Sequence, residues 1–358
     1  MIVNIIVFII VLSVLVLAHE LGHFWVARWA GIAVEEFGIG YPPRIWQRKR
    51  GGIIYSINLL PLGGFVRLKG EFGDSDAAGA FNRASVWKRI AVVVAGVVMN
   101  VVLAWVILFG AFLVGFSPLT QDVTTYPGAK LTQSDVIVMD VMPGTPAATA
   151  GLQAGDRVKQ IDTVTVARAA DLSQFTSTHQ GAAVVVSLER DGVGQQLNLK
   201  LDGPAESPLG IALGEAVVVR LPFWQSIRAA TNEVVSIFGS IWGALGDLAR
   251  GLFSAGGSEL AGDVAGPVGI YRITALAASI GPMAVVSLLI LFSINLAIIN
   301  ILPFPALDGG RLLFLLIEAV RGKRIIHERV EAAINTFGFI LLLLVIILLT
   351  YRDLVRVG

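Results

Sequence analysis

The chain has 358 residues, of which 55% are hydrophobic and 15% charged, and its mean hydropathy is +0.76. That balance excludes an ordinary water-soluble domain and points to a membrane protein. A net charge of +1 excludes an electrostatic grip on nucleic acid, and the absence of cysteine excludes disulfides and thiolate metal sites.

The first apolar run, Ile2–Phe24, has the roughly 20 residues a helix needs to cross a bilayer. Lacking a basic flank before it and a small-residue cleavage site after it, the run reads as retained, not as a removed signal peptide. Within it stands His19-Glu20-Leu21-Gly22-His23. Histidines at i and i+4 lie one above the other on a helix face, spaced to hold one metal ion through nitrogen. The glutamate between them is placed to act as general base toward a water activated by that ion. Three ionisable side chains inside a span are costly unless paired or metal-bound, which sharpens the motif.

Further apolar stretches at Ile90–Phe116, Met283–Leu302 and Ala332–Leu349 bring the expected spans to four. Arg28, Arg44, Arg48, Lys49, Arg50, Arg67, Lys69, Arg83, Lys88 and Arg89 crowd the connection between the first two. Arg311, Arg321, Lys323, Arg324 and Arg329 crowd the one between the last two. The positive-inside bias then sets both connections in the cytoplasm and the middle of the chain outside. Glu318 and Arg321 are spaced as a local i, i+3 ion pair.

The middle of the chain reads as a separate domain. Val136–Met139, Arg157–Ile161 and Ala183–Leu188 alternate like strands, and Asp191-Gly192 marks a hairpin turn before another near Gln196–Lys200. Between the first two, the run from Pro143 to Asp156 (PGTPAATAGLQAGD) resembles a segment of bacterial PDZ domains. That resemblance implies an α/β domain able to accept an extended peptide as an added strand, or else a spacer or size filter. Farther on, Phe223–Leu252 repeats apolar residues at helical spacing but carries Arg228, Glu233 and Asp247. It is expected to lie on or against the membrane and not to span it.

A catalytic zinc site typically has three protein ligands and an open position. Asp308, in Asn300-Ile301-Leu302-Pro303-Phe304-Pro305-Ala306-Leu307-Asp308-Gly309-Gly310-Arg311, is the best third candidate. By the orientation above, it falls at the same membrane side as the histidines. Pro303 and Pro305 break the helix there, and irregular backbone at membrane depth must be buried in protein or line a cavity.

His19–His23 together with Asn300–Gly309 resembles the site-2 protease family of intramembrane zinc metalloproteases. Phe37–Gly40, Tyr55–Val66 and Ala265–Ile270 extend the likeness over nearly the whole chain. The second span departs from the family's Gly-Pro-x-x-Asn, reading Gly96-Val97-Val98-Met99-Asn100, and one PDZ-like unit is found where the best-known members have two. The resemblance implies a polytopic α-helical membrane protein with about four transmembrane helices, a cytoplasmic-side β-hairpin and one inserted α/β PDZ-like domain. The expected divisions are 1–116, 117–205, 206–282 and 283–358. It implies zinc held by His19, His23 and Asp308, Glu20 as catalytic base, and Asn300, Asn100, Pro303, Tyr55, Asn58, Gly63 and Gly64 toward the substrate. The implied substrates are single-pass transmembrane proteins, such as anti-sigma factors or remnant signal peptides. The implied setting is the bacterial inner membrane, with the site near its cytoplasmic side. Two rival readings are a catalytically inactive PDZ-bearing scaffold, against which the intact Glu20 speaks, and a metal transporter. A transporter calls for ligands strung across the membrane depth.

Overall fold

The computed structural model describes residues 2–71, 77–120, 126, 130–190, 192–203, 208–252, 265–323 and 328–355. The chain divides into two compact units: Met1–Ile107 with Val234–Ala275 and Ser287–Gly358, and Leu108–Glu233 with Leu276–Val286. Among the described residues, four helices are long and apolar enough to cross a membrane: Ile2–Trp29, Val86–Val114, Pro282–Ile301 and Val330–Val355. Each coincides with a stretch singled out above, and the first, second and fourth run a turn or more beyond it.

In the first unit, helix α1 (Ile2–Trp29) buries Val11, Leu15, His19, Gly22 and Ala27, a stripe at helical spacing, while Ile2, Ile5, Ile6 and Ile10 are exposed. That stripe turns His19 toward helix α2 (Val86–Val114). The two backbones nearly touch, since a Cβ at Gly22 would lie 2.3 Å from the Ala95 carbonyl oxygen. Small residues permit this kind of approach between helices in lipid. Helix α7 (Pro282–Ile301) buries Ile290, Ser293, Ile294, Ala297 and Ile298, and the Ser293 hydroxyl donates to the Asn100 carbonyl at 2.8 Å.

After α1 the chain forms β1 (Val34–Arg50) and β2 (Ile53–Leu68), but the pairing is richer than a simple hairpin. Residues 36–39 pair on one side with 54–57 and on the other with 64–67, while 44–50 pair with 53–58. The result is a four-segment mixed sheet in the order 44–50, 53–58, 36–39, 64–68, with 53–58 and 36–39 running parallel, the other neighbours antiparallel, and 64–68 at one edge. Within it the fully buried Glu36 accepts from Ser56 and, through both oxygens, from Arg44, so its charge is satisfied inside the sheet.

Helix α8 (Asp308–Arg321) is tied to α2 by a two-pronged contact of Arg89 with Glu318; one prong is Nη1 to Oε2 at 3.1 Å. Glu318 therefore pairs across helices, not with Arg321 as its local spacing suggested. A tertiary partner that also buries the guanidinium outweighs an exposed i, i+3 contact worth a few tenths of a kcal/mol. Removing one member of such a pair strands a buried charge. Arg89→Ala should lower stability by about 3–5 kcal/mol, whereas exchanging both residues for apolar ones should cost far less. Thermal unfolding in detergent measures both. Helix α9 (Glu328–Val355) closes the unit: its Asp353 carboxylate accepts the Gly269 amide at 2.7 Å, in the first turn of helix α6 (Pro267–Ile280), where a negative charge is favourable.

The second unit contains the stretch expected to form an inserted α/β domain. Strands β3 (Lys130–Val141), β4 (Arg157–Ile161), β5 (Val164–Thr165), β6 (Ala183–Arg190), β7 (Val193–Lys200) and β8 (Ile211–Arg220) form one sheet. Its order is β7-β6-β4-β3-β8, with β5 paired to β4. Alternate residues such as Val136, Val138, Val184, Val186 and Leu188 enter its core. The Pro143–Asp156 motif has a local physical reason. Thr145 accepts from the Ala148 amide at the start of helix α3 (Pro146–Ala150), Pro146 occupies the first turn, and Gly151 ends the helix at φ +84°. The motif's last residue, Asp156, is buried and takes two 2.6 Å hydrogen bonds from Arg190.

Asp162, between β4 and β5, adopts φ +49°, the left-handed conformation that Asp tolerates. Asp191 lies outside the described residues. Strand β8 falls in the stretch expected to be linker, and helix α4 (Ala169–Thr178) was not foreseen. Phe223–Leu252 is one continuous helix, α5, burying Ser226, Ala229, Ala230, Glu233 and Ile237 and exposing Phe223, Trp224 and Trp242.

Candidate metal centre

Helix α1 contributes His19, Glu20 and His23, one turn of helix that brings both imidazoles to the same side. Asp308 arrives from a sharply folded segment. After α7 ends at Ile301, the chain turns back through Pro303 and Pro305, with Ala306 at φ +73°, and starts α8 at Asp308. The turn is so tight that a Cβ at Gly309 would lie 2.0 Å from the Leu302 carbonyl oxygen, and one at Gly310 2.5 Å from that of Phe304. Asp308-Gly309-Gly310 therefore pairs a carboxylate with two residues that let the loop close behind it.

The three ligand candidates converge. His19 Nε2 is 2.9 Å from Asp308 Oδ2, His23 Nε2 is 3.3 Å from it, and the two Nε2 atoms are 3.1 Å apart. A tetrahedral ion with bonds of about 2.0–2.1 Å separates its ligand atoms by roughly 3.3 Å, close to this triangle. His23 Nδ1 lies 2.8 Å from the Val92 carbonyl, which only accepts, so that nitrogen carries the proton and Nε2 presents a lone pair. Asp308 Oδ2 is buried and receives no hydrogen bond. Electron-rich atoms facing one another in a buried site call for a cation among them. The donor set of two imidazoles and one carboxylate suits zinc and leaves a coordination position open.

Glu20 shares a cavity of about 160 Å³ with His19, His23 and Asp308. Its Oε2 accepts the Val66 amide at 2.9 Å, on the outer side of the 64–68 edge. Two residues later on that edge, the Leu68 amide donates to Glu71, which Arg311 grips at 2.5 Å. Phe65, Val66, Glu71 and Arg311 therefore line the site, although none was singled out from sequence.

Gly96 was quoted only as part of a motif, yet its role is sharp. A Cβ there would meet His23 Nε2 at 2.4 Å and His19 Cε1 at 2.7 Å. Asn100, one turn farther along α2, is fully buried with Nδ2 3.3 Å from His19 Nδ1.

The other expected substrate contacts lie elsewhere. Tyr55 packs against Phe24 and Phe37 in the core beneath the sheet. Asn58 is buried and donates to the Ile39 and Gly40 carbonyls, holding the bend in β1. Gly63 and Gly64 pass close to α1, where added Cβ atoms would meet Val16 at 2.9 Å and Leu17 at 3.0 Å. Asn300 is half-buried at the end of α7 and Pro303 is exposed, and neither lines the cavity. His179 is a surface residue stacked on Phe175.

A His-His-Asp triangle of candidate metal ligands with an adjacent glutamate, in a chain with four helices long and apolar enough to cross a membrane, is the donor set of a metallohydrolase. The chain belongs to Peptidase family M50, whose model matches residues 7–345. Zinc metalloprotease RasP of Shouchella clausii is 30% identical over 97% of this chain and 97% of its own. RasP of Bacillus licheniformis is 30% identical over 99% of each. Regulator of sigma-E protease RseP of Escherichia coli is 28% identical over 98% of each. The PDZ domain of the SdrC-like protein from Listeria monocytogenes is 26% identical, covering 24% of this chain and 92% of that one, with a TM-score of 0.22.

Proposed function

We propose that this peptidase is a zinc enzyme that cuts single-pass membrane proteins within their membrane-spanning segments, with His19, His23 and Asp308 as ligands and Glu20 as general base. The observation that carries the reading is the triangle of donor atoms, 2.9 to 3.3 Å on a side, next to an acidic side chain in a cavity between apolar helices. When bound, zinc acidifies a coordinated water and polarises the scissile carbonyl.

The chain's own residues supply the rest. Glu20 takes the proton from the attacking water and hands it to the departing amide nitrogen. His23, fixed by the Val92 carbonyl, keeps its lone pair on the site. The edge at 64–68 offers backbone groups to a substrate made extended, which is the form in which its carbonyls are open to attack. The exposed Ile39, Tyr41, Ile45, Trp46, Ile57, Leu59 and Leu60 let that sheet sit against lipid. Arg48, Lys49 and Arg50 at its tip fit the cytoplasmic side by the positive-inside rule, with the PDZ-like unit on the opposite side, a peptide-accepting or size-filtering module. Anti-sigma factors and remnant signal peptides are the substrate classes in view.

The test is metal content and cleavage together. Purified chain should carry one zinc and cut a tagged single-span substrate within its span. Asp308→Asn should lose both, because two imidazoles alone hold the ion weakly. Full zinc occupancy in that variant would remove Asp308 from the ligand set.

A further inference from the structure

We infer that Asn100 is a positioning residue for the metal, its side-chain oxygen accepting the Nδ1 proton of His19 and so fixing the tautomer whose Nε2 lone pair faces the ion. The inference rests on the zinc reading above and assigns Asn100 a task other than contact with substrate.

The geometry is specific. Asn100 is completely inaccessible to solvent, so it touches no substrate, and its amide lies 3.3 Å from the outer nitrogen of His19. Its backbone is held as well, by the 2.8 Å bond from Ser293 Oγ to its carbonyl, which locks this turn of α2 against α7.

The chemistry then decides which end of the amide meets the ring. A histidine that ligates through Nε2 is protonated at Nδ1, and an N–H facing an amide NH2 would set donor against donor. With the NH2 toward the ring, Asn100 Oδ1 is also left buried without a partner. Amide oxygen and nitrogen have nearly the same shape, so the hydrogen bonds around them set the orientation. Turning the amide presents Oδ1 to His19 Nδ1–H and removes the clash of donor against donor.

The two ligand histidines are then oriented in parallel fashion from one helix. Val92 anchors His23 through a backbone carbonyl, and Asn100, two turns on, anchors His19 through a side chain. Only the second anchor is written in the sequence, and so only the second is open to substitution.

The experiment measures zinc affinity of the purified full-length chain in detergent by competition with a chelating indicator, alongside melting of the zinc-free protein. Asn100→Leu keeps the volume and removes the acceptor. It should bind zinc about 10–100-fold more weakly, with the zinc-free melting point close to wild type. Asn100→Asp restores an acceptor and should bind zinc at least as tightly as wild type. Equal zinc affinity in Asn100→Leu and wild type overturns the inference, as does an equal loss in the leucine and aspartate variants, which would mark Asn100 as packing alone. If the leucine variant does not fold, Asn100→Ala provides the same comparison. A wild-type chain that binds no zinc would instead overturn the proposed function, a distinct result.

Discussion

Glu20→Gln should lower cleavage of a single-span substrate by about 10²–10⁴-fold, the usual contribution of a positioned general base, while leaving zinc content and melting temperature close to wild type. Glutamine keeps the size and can still accept from the Val66 amide through its carbonyl oxygen, so the 2.9 Å contact to the sheet edge survives. What it cannot do is carry a proton from the attacking water to the leaving nitrogen. The measurement is co-expression with a tagged substrate, with metal analysis of both purified proteins. Comparable cleavage by the two would remove Glu20 from the base role even if the metal triangle stood.

A second large effect is expected from one added methyl group. Gly96→Ala would place a carbon 2.4 Å from His23 Nε2 and 2.7 Å from His19 Cε1, closer than a Cβ atom packs against its neighbours. Neither neighbour can yield cheaply. His23 is held by Val92, and α1 already lies in backbone contact with α2 at Gly22, where a Cβ would be 2.3 Å from the Ala95 carbonyl. The rings must rotate or the helices separate, and a misplacement of about 1 Å in catalytic groups costs on the order of 100-fold in rate. Gly96→Ala should therefore lose zinc and lower cleavage at least that far. Gly110→Ala on the same helix is the control: nothing lies within 4 Å of its added Cβ, and alanine favours helix by up to about 1 kcal/mol over glycine. Wild-type zinc binding by Gly96→Ala would mean that α1 and α2 do not approach as described.

The meeting of His19, His23 and Asp308 was legible in the sequence because most of its signals are local. Two histidines and a glutamate within five residues declare their geometry on any helix, and the count of spans was enough to return Asp308 to the same level. Gly96, Glu71, Arg311 and Val66 were not legible, because each matters through a neighbour fixed by tertiary packing. A glycine in an apolar helix looks the same whether it faces lipid, as Gly110 faces open space, or two imidazoles.

Tyr55 and Asn58 misled in the opposite direction. They lie in the segment that carries the family likeness, but residue 55 points into an aromatic cluster and residue 58 ties down a bend. Glu318 shows the same limit, since a spacing rule finds Arg321 three residues away and cannot see Arg89 in another helix. In the inserted unit, β3, β4 and β6 announced themselves by alternating Val and Ile. Helix α4, rich in Ser, Thr and Ala, has no comparable apolar stripe, and β8 returns to pair with β3 from more than sixty residues downstream.

The Val66 amide is a donor that the resting enzyme has already spent on its own Glu20 carboxylate. Any extended segment that docks along that margin by backbone pairing must compete for this N–H, and in winning it sets the carboxylate loose. Under the proposed mechanism, arrival of a correctly laid-out guest and arming of the proton acceptor would become one event, and a segment still coiled on itself would leave the reagent tethered.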